Sequence, residues 1–306
     1  MERQKMNKSL FRGVYPAMIT PMTTEGEFNE SAYREIIEFN IRSGVDGFWV
    51  AGGTGESIYL TDEENNRIAK VSVDQNQGRV KNIMHVGAPT TIRAAKMAEY
   101  AASVGVEAIC CVPPFFYAPT NEAIVEHLRV VAEAADLPLF VYNSPGFVGY
   151  EITPDLMMKI QDNVPQLEGL KQSSNTTWDI GVYAKMGLSA MVGNSMMMLP
   201  ALSLGSSGCV DGPLCIIPEI WIEIWDAYNE GDIKRAEVAQ AIGTDLRRLL
   251  LPYTFQSAAK LLIKERLGID CGLARPPLLP LNAEEEIHLI SSFNQFWDEF
   301  KSHKQQ

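Results

Sequence analysis

A lysine at the end of an apolar segment is the residue best suited to covalent chemistry. Residues 166–174 (QLEGLKQSS) lead through two apolar residues and a glycine to Lys171 and then change abruptly to small polar residues, a pattern typical of the end of a buried strand. Burial disfavours the ammonium form of a lysine and favours the neutral amine, which can attack a ketone. The same pattern is also compatible with an ordinary lysine whose head group lies in water.

Two other segments carry groups that would complement such an amine. In residues 51–57 (AGGTGES), Gly53 and its neighbours allow backbone N–H groups to face a bound carboxylate, and Thr54 adds a hydroxyl. In residues 141–146 (VYNSPG), Tyr142 offers a phenol that could exchange a proton with a carbinolamine formed on Lys171. A plain glycine turn and a buried structural tyrosine are the alternatives. The combination of carboxylate holder, proton shuttle and nucleophile favours an enzyme that handles a 2-oxo acid.

The elements that must position these groups alternate between strand and helix. Eight short apolar segments each precede a helix, and they cover residues 13–22, 47–52, 82–87, 108–113, 138–143, 167–173, 190–194 and 208–211. The helices are expected to begin near Asn29, Asp62, Thr91, Asn121, Thr153, Thr176, Met198 and Pro218. This alternation predicts an α/β fold with parallel strands, and eight units can close into a (β/α)8 TIM barrel. A doubly wound open sheet is the alternative, but no GxGxxG turn follows the first strand.

A helical segment is predicted after the eighth unit. Helical patterns at residues 233–250, 254–267 and 283–300 are interrupted by the sequence RPPLLP at 275–280. We therefore expect a barrel carrying the active site over residues 1–230 and a C-terminal helical extension packed on it over residues 231–306. In such a barrel the reactive side chains lie at the C-terminal ends of the strands and on the loops that follow.

Composition excludes several other classes of protein. The formal charge of −12 and the absence of a basic stripe argue against a nucleic-acid partner. No apolar run is long enough to span a membrane, and residues 1–12 lack the apolar region of a secretory signal, so we expect a cytoplasmic protein. The four histidines form no metal-binding pair, so no metal is expected. The five cysteines are predicted to be buried free thiols.

Taken together, the motifs resemble those of one enzyme family. The chain is similar, from Gly13 to about Leu281, to the family of dihydrodipicolinate synthase and N-acetylneuraminate lyase, which are class I pyruvate-dependent aldolases. The segments that carry the resemblance are GGTGE at 52–56, VPPFF at 112–116, YNSP at 142–145, GLK at 169–171, Gly193 and PPLLP at 276–280. The resemblance implies a (β/α)8 barrel with C-terminal helices.

The resemblance also implies a role for each matching residue. Lys171 would form the Schiff base with pyruvate or a keto acid, so that no cofactor beyond this covalent imine is needed. Tyr142 would be the acid/base, Gly53 and Thr54 would hold the carboxylate, and Gly193 would line the substrate. Members of the family use pyruvate and an aldehyde, and they form homotetramers built as dimers of dimers, in which loop residues near Phe116 often cross the tight interface.

Several positions depart from the family pattern and bear on the choice of substrate. Gly53 stands where a second Ser or Thr is usual, and Phe116 stands at the relay tyrosine, with Tyr117 one step later. Phe147 occupies the loop in which the synthases place an arginine, whose bidentate fork a phenyl ring cannot replace.

The last departure concerns the seventh strand. Gly193 is followed by Asn194, Ser195 and three methionines instead of the acidic pair of the sialic acid lyases. These methionines, with Trp178, Phe147 and Phe116, would suit an acceptor less polar or shorter than sialic acid, although they are equally compatible with a helix start whose methionines enter the core. The substrate-binding candidates are therefore Gly53, Thr54, Gly193, Phe116, Tyr117, Phe147 and Ser195, and Thr54 also counts with Lys171 and Tyr142 as catalytic.

These residues lead to one principal functional prediction and three alternatives. The principal prediction is a Schiff-base lyase that makes or breaks a C–C bond between pyruvate and an aldehyde, on a 2-keto-3-deoxy sugar acid or a related hydroxylated 2-oxo acid. Two alternatives use the same lysine: a synthase-type condensation with aspartate semialdehyde, and dehydration of a 2-keto-3-deoxy acid. The third is a non-catalytic relative that binds keto acids, which the missing hydroxyls at Gly53 and Phe116 would favour.

Overall fold

Eight parallel strands alternate with helices along the chain. The computed structural model describes residues 11–304, and its strands are β1 (Gly13–Pro16), β2 (Gly47–Val50), β3 (Lys81–His85), β4 (Ala108–Cys111), β5 (Leu139–Asn143), β6 (Leu167–Gln172), β7 (Ser189–Val192) and β8 (Gly208–Asp211). They are hydrogen-bonded in the order β1-β8-β7-β6-β5-β4-β3-β2. A parallel bridge between Ala17 and Trp49 joins β1 to β2. The strands thus form a nearly closed TIM barrel, which confirms the predicted fold and excludes the open sheet.

The helices begin at capping residues that the sequence displays. They are α1 (Glu30–Ser43), α2 (Asp62–Asn76), α3 (Thr91–Val104), α4 (Asn121–Ala135), α5 (Pro145–Val148), α6 (Pro154–Asn163), α7 (Ile180–Lys185), α8 (Met198–Ser203), α9 (Pro218–Glu230), α10 (Ile233–Leu250), α11 (Phe255–Leu267) and α12 (Ala283–Lys304). Asn29, Thr61, Thr90, Thr120 and Thr153 each accept a backbone N–H bond at a helix start. These bonds satisfy backbone N–H groups that have no partner within the first helical turn, which explains why the helices begin at these residues. The predicted starts of α1 to α4 and α6 are correct within one residue.

The strand ends differ from the predicted ones. Most predicted strands continue into residues that form the loops; β2, for example, ends at Val50 because Ala51 turns the chain with a φ of 49°. The short helix α5 was predicted as part of a loop. In place of a helix from Thr176, a 3-10 turn at Thr177–Asp179 precedes α7.

Two apolar cores hold the barrel together. An inner core fills the barrel and includes Tyr15, Trp49, Phe140, Tyr142 and Met191. An outer, larger core lies between the strands and the surrounding helices. Because successive side chains of a strand point to opposite faces, most of the strands contribute to both cores. The five cysteines are free and buried, as predicted.

The C-terminal helices pack on one side of the barrel. Helix α10 packs against α8 and α9, and α12 packs against α10 and α11. The division of the chain at residue 230 stays a prediction. Within residues 11–304, no helix combines the length and apolar character needed to cross a membrane. The segment in which no secretory signal is expected lies almost wholly outside the described residues.

Candidate active site

Lys171 and Tyr142 are paired across two neighbouring strands inside the barrel. The two strands align Leu139 with Leu167 but Phe140 with Gly169, so that β6 has one extra residue in this interval. Without this shift of register, Tyr142 would lie opposite Leu170, and Lys171 would belong to the next pair. With the shift, Tyr142 pairs with Lys171. Both side chains are buried, at 5% and 4% exposure.

Aromatic faces surround the amine. The Nζ atom of Lys171 lies 4.6 Å from the ring centre of Tyr142 and 5.3 Å from that of Trp49. The negative face of an aromatic ring attracts a cation, and this attraction is stronger in a site shielded from water. The side chain of Lys171 therefore ends between two aromatic rings.

His85 is a buried neutral neighbour of this pair. Burial, together with the positive charge of Lys171, lowers the pKa of His85 to about 4. Its Nδ1 lies 3.4 Å from the hydroxyl of Ser57, and its ring meets that of Tyr142 edge to face with centres 6.4 Å apart. An imidazole with this pKa is neutral near pH 7 and does not compete with Lys171 for positive charge.

The glycine-rich loop after β2 runs across the end of the barrel. Its backbone bonds join Glu56 N–H to Gly53 O and Ser57 N–H to Gly52 O, and neither uses the N–H group of Gly53 or Thr54. The side chain of Thr54 lies against Gly212. A Cβ atom added to Gly212 would lie 3.2 Å from the hydroxyl oxygen of Thr54. These two N–H groups and the hydroxyl are among the polar groups that the loop could offer to a carboxylate.

Helix α11 fixes this loop from outside the barrel. Gln256 donates its side-chain N–H to Gly53 O at 3.0 Å, and Lys260 forms a buried ion pair with Glu56 at 2.7 Å. Glu56 also accepts the backbone N–H of Arg275. The extension that follows the barrel thus positions the loop expected to hold the carboxylate.

A cavity of about 410 Å³ opens beside Tyr142. Tyr142, Gly53, His85 and Phe147 are among its lining residues. Among the described residues, Lys171 is not part of the cavity lining. It contacts the ring of Tyr142, and Tyr142 does line the cavity. The structure therefore brings together four residues predicted from the sequence, namely Lys171, Tyr142, Gly53 and Phe147. Thr54 follows Gly53 in the same loop but is not among the lining residues.

The other predicted site residues lie outside this cavity. Phe116 and Tyr117 are 88% and 79% exposed and contact each other edge to face. Gly193 packs tightly on Ser173, whose hydroxyl would be 1.9 Å from an added Cβ. Ser195 is fully buried, and its backbone N–H donates to Asp211 at 2.9 Å. The roles of these four residues stay predictions, as do those of the other predicted site residues.

Some lining residues were missed by the sequence analysis. Phe115, rather than Phe116, reaches the cavity, as do Ser57 and His85. His85 is the last residue of β3, so the rule that reactive groups occupy strand ends could have identified it. The choice between two adjacent phenylalanines depends on the direction of the backbone, which at Phe116 has a φ of 83°.

Comparison with known proteins identifies the family of the chain. The family model described as "Dihydrodipicolinate synthetase family" matches residues 10–295. A 4-hydroxy-tetrahydrodipicolinate synthase of Maridesulfovibrio salexigens is 30% identical over 277 residues, which are 89% of this chain and 93% of that protein.

Solved structures of members of the same family resemble the fold of this chain. The crystal structure of dihydrodipicolinate synthase from Aquifex aeolicus has a TM-score of 0.89 and 30% identity, covering 94% of this chain and 98% of that one. The N-acetylneuraminate lyase of Proteus mirabilis has a TM-score of 0.88 and 25% identity, with coverage of 94% and 98%. The chain therefore belongs to the dihydrodipicolinate synthetase family and is an enzyme of the lyase class.

Proposed function

We propose that the protein is a pyruvate-dependent Schiff-base lyase. Its substrate would be a 4-hydroxy-2-oxo acid, either a 2-keto-3-deoxy sugar acid or a related hydroxylated 2-oxo acid, which it would cleave to or form from pyruvate and an aldehyde. The observation that carries the proposal is the pairing of Lys171 with Tyr142, since this phenol both contacts the amine and lines the cavity.

The cleavage reaction can be followed atom by atom. The neutral amine of Lys171 attacks C2 of the keto acid to give a carbinolamine, and loss of water gives a protonated imine. Removal of the proton from the C4 hydroxyl then breaks the C3–C4 bond, releases the aldehyde and leaves the electron pair as an enamine. Protonation of the enamine at C3, followed by addition of water at C2, releases pyruvate and restores the lysine.

Each proposed role follows from the position of the residue. Tyr142 would donate a proton to the departing carbinolamine hydroxyl and take the proton from the C4 hydroxyl, because it lies between the amine and the cavity. The rings of Tyr142 and Trp49 would stabilise the protonated imine. The N–H groups of Gly53 and Thr54, with the Thr54 hydroxyl, would hold the carboxylate.

Trapping of the imine tests the proposal. Borohydride reduction in the presence of pyruvate should add a pyruvate-derived mass to Lys171 and inactivate the enzyme. Lys260 is an internal control, because it is equally buried but paired with Glu56, so that peptide mapping should find it unmodified. A folded protein without an adduct on Lys171 would refute the proposal. Binding of pyruvate with neither adduct nor turnover would instead support the non-catalytic alternative.

A synthase activity is the second candidate, because relatives over nearly the full chain are named 4-hydroxy-tetrahydrodipicolinate synthases. It would use the same imine but needs a group that receives the carboxylate of aspartate semialdehyde. Phe147 offers no charge for that purpose. Product analysis separates the candidates, since cleavage gives pyruvate and an aldehyde, condensation gives a cyclic amino acid, and dehydration of a 2-keto-3-deoxy acid gives a dehydrated keto acid.

The wider setting of the enzyme is also a proposal. The family resemblance supports a homotetramer built as a dimer of dimers. It likewise supports a cytoplasmic enzyme that acts on small molecules without a cofactor, a metal, a nucleic acid or a membrane.

A further inference from the structure

The cavity beside Tyr142 has an apolar wall. Six of its lining residues have aliphatic or phenyl side chains, namely Ile58, Val112, Phe115, Phe147, Val148 and Leu278. They come from four separate parts of the chain, the loop after β2, the loop after β4, helix α5 and the segment after α11. An aldehyde that leaves or approaches the imine through this cavity would contact this wall.

Within this wall, the ring of Phe147 packs against the backbone of Gly53. A Cβ at position 53 would lie 2.9 Å from the Cε2 atom of Phe147, closer than the two carbons can approach. The Phe147 ring therefore occupies space that a serine or threonine at position 53 would need. It also meets the ring of Tyr142 edge to face, with centres 6.4 Å apart. The absence of a side chain at position 53 thus makes room for an aromatic surface next to the proposed acid/base.

Three polar side chains of the cavity are engaged with the protein itself. The hydroxyl of Ser57 lies beside His85, the amide N–H of Gln256 is bonded to Gly53 O, and Glu56 is paired with Lys260. Tyr59, Tyr142 and His85 add further polar groups to the lining, but most of the lining surface is apolar. A chain carrying several hydroxyls would lose water on entering the cavity and meet mainly apolar surface there. Burial of an unpaired hydroxyl is unfavourable, whereas burial of apolar surface against this wall is favourable.

From these observations we infer that the group attached to C4 of the substrate, which leaves as the aldehyde substituent, is apolar. This inference rests on the proposed function and narrows it, because the substrate keeps the 4-hydroxy-2-oxo acid core and carries an aromatic or branched aliphatic group instead of a polyhydroxylated chain. The cavity volume of about 410 Å³ lies in the range of small-ligand sites. Phe147 is the residue that determines this specificity.

The test compares aldehydes in the synthetic direction. With saturating pyruvate, kcat/KM is measured for benzaldehyde, isobutyraldehyde and glyceraldehyde. We expect at least one apolar aldehyde to exceed glyceraldehyde by roughly tenfold or more, a ratio within the range that one hydrophobic pocket supplies. Phe147→Ala should reduce this ratio by about tenfold by lowering kcat/KM for the apolar aldehyde. The exposed Ile92, on helix α3, provides a control, and Ile92→Ala should leave the ratio unchanged.

Pyruvate trapping on Lys171, measured without aldehyde for each protein, separates the two proposals. If trapping succeeds and glyceraldehyde is used as well as or better than both apolar aldehydes, the inference is overturned while the proposed function stands. Trapping without reaction of either apolar aldehyde also overturns it, as does a ratio that Phe147→Ala leaves unchanged. If trapping itself fails, the proposed function is refuted and the inference with it.

Discussion

At the scale of single residues, Lys171 and Tyr142 divide the proposed chemistry between a nucleophile and a proton carrier. The amine lies among aromatic faces, where a positive nitrogen is stabilised, and the phenol lies between that amine and the cavity. A change that removes only the phenolic oxygen should therefore affect proton transfer without disturbing the surroundings of the amine.

Replacement of Tyr142 by phenylalanine makes this change. Tyr142→Phe should lower kcat by about 10²- to 10⁴-fold, the usual contribution of a positioned acid or base, while the ring that contacts Lys171 is kept. Steady-state pyruvate release measures the loss, and circular dichroism checks the fold. Tyr183→Phe is the matched control, because Tyr183 is also buried but bonds to Ile152 O outside the cavity. Equal losses in the two variants would contradict the role of Tyr142.

His127 provides a prediction about stability and pH. Burial lowers its pKa to about 4, below the reference value of 6.5. Between these two values the unfolded chain binds more protons than the folded protein, so the stability contributed by the neutral imidazole is complete above pH 6.5 and falls as the pH decreases. From pH 7 to pH 5 the free energy of unfolding should fall by about 2 kcal/mol because of this group.

Urea unfolding of the wild type and of His127→Asn at the two pH values measures this effect. Contributions of other groups are shared by both proteins and cancel in the comparison. The wild type should lose about 2 kcal/mol more than the variant. Parallel pH dependences would show that His127 does not contribute as expected.

Among the contacts between elements, the one between α11 and the glycine-rich loop after β2 bears most directly on the conformation of that loop. Glu56 adopts a left-handed conformation, with a φ of 62°, which is unfavourable for a residue other than glycine. It is held there by Lys260 and by the backbone of Arg275, and the side chain of Arg275 pairs in turn with Glu64 at the start of α2. A helix outside the barrel thus maintains the shape of a loop at the end of the barrel where the proposed active site lies.

Removal of Lys260 should destabilise the protein strongly. Lys260→Met leaves Glu56 buried without its counter-charge, which costs about 3–5 kcal/mol, whereas the double variant with Glu56→Gln should recover a large part of this loss. The free energy of unfolding in urea is the measurement. Lys264→Met is the control, because its pair with Asp270 is exposed and should contribute less than about 1 kcal/mol. Equal effects of Lys260→Met and Lys264→Met would contradict the proposed importance of the buried pair.

At the scale of the whole molecule, the exposed aromatic pair Phe116 and Tyr117 bears on assembly. Two adjacent large rings open to solvent are unusual on a protein that acts alone. In the proposed homotetramer this loop would cross the tight interface, as loop residues near this position often do in the family that the sequence resembles. Residues predicted to bind substrate would then act through an interface instead of lining the cavity of their own chain.

The assembly state can be measured directly. Sedimentation velocity should give a mass of about four times 33.9 kDa for the wild type. A variant with Phe116→Ser and Tyr117→Ser should give a smaller species, because the apolar contact across the interface is lost. Ile92→Ser, which changes another exposed apolar side chain, should leave the mass unchanged. A monomeric wild type would refute the proposed tetramer.

The order of residue types along the chain was sufficient to predict the fold, and it also led to the proposed chemistry of the central residues. The alternation of short apolar segments with capped helices is local, and it was sufficient to predict eight strands and the starts of most helices. The types of Lys171, Tyr142 and Gly53, placed at strand ends, were sufficient to predict nucleophile, phenol and carboxylate loop. Strand ends were predicted too far along the chain, because residues such as Ala51 turn away from the sheet although their composition is apolar.

Which of these residues meet became clear only from the folded chain. The shift of register between β5 and β6 places Tyr142 opposite Lys171, and Phe115 instead of Phe116 faces the cavity. The ion pair of Glu56 with Lys260 joins positions that lie far apart in the sequence. Strand register, side-chain direction and long-range pairing depend on the free energy of contacts between segments that are distant in the sequence. A local pattern of residue types does not show which distant segments will be in contact.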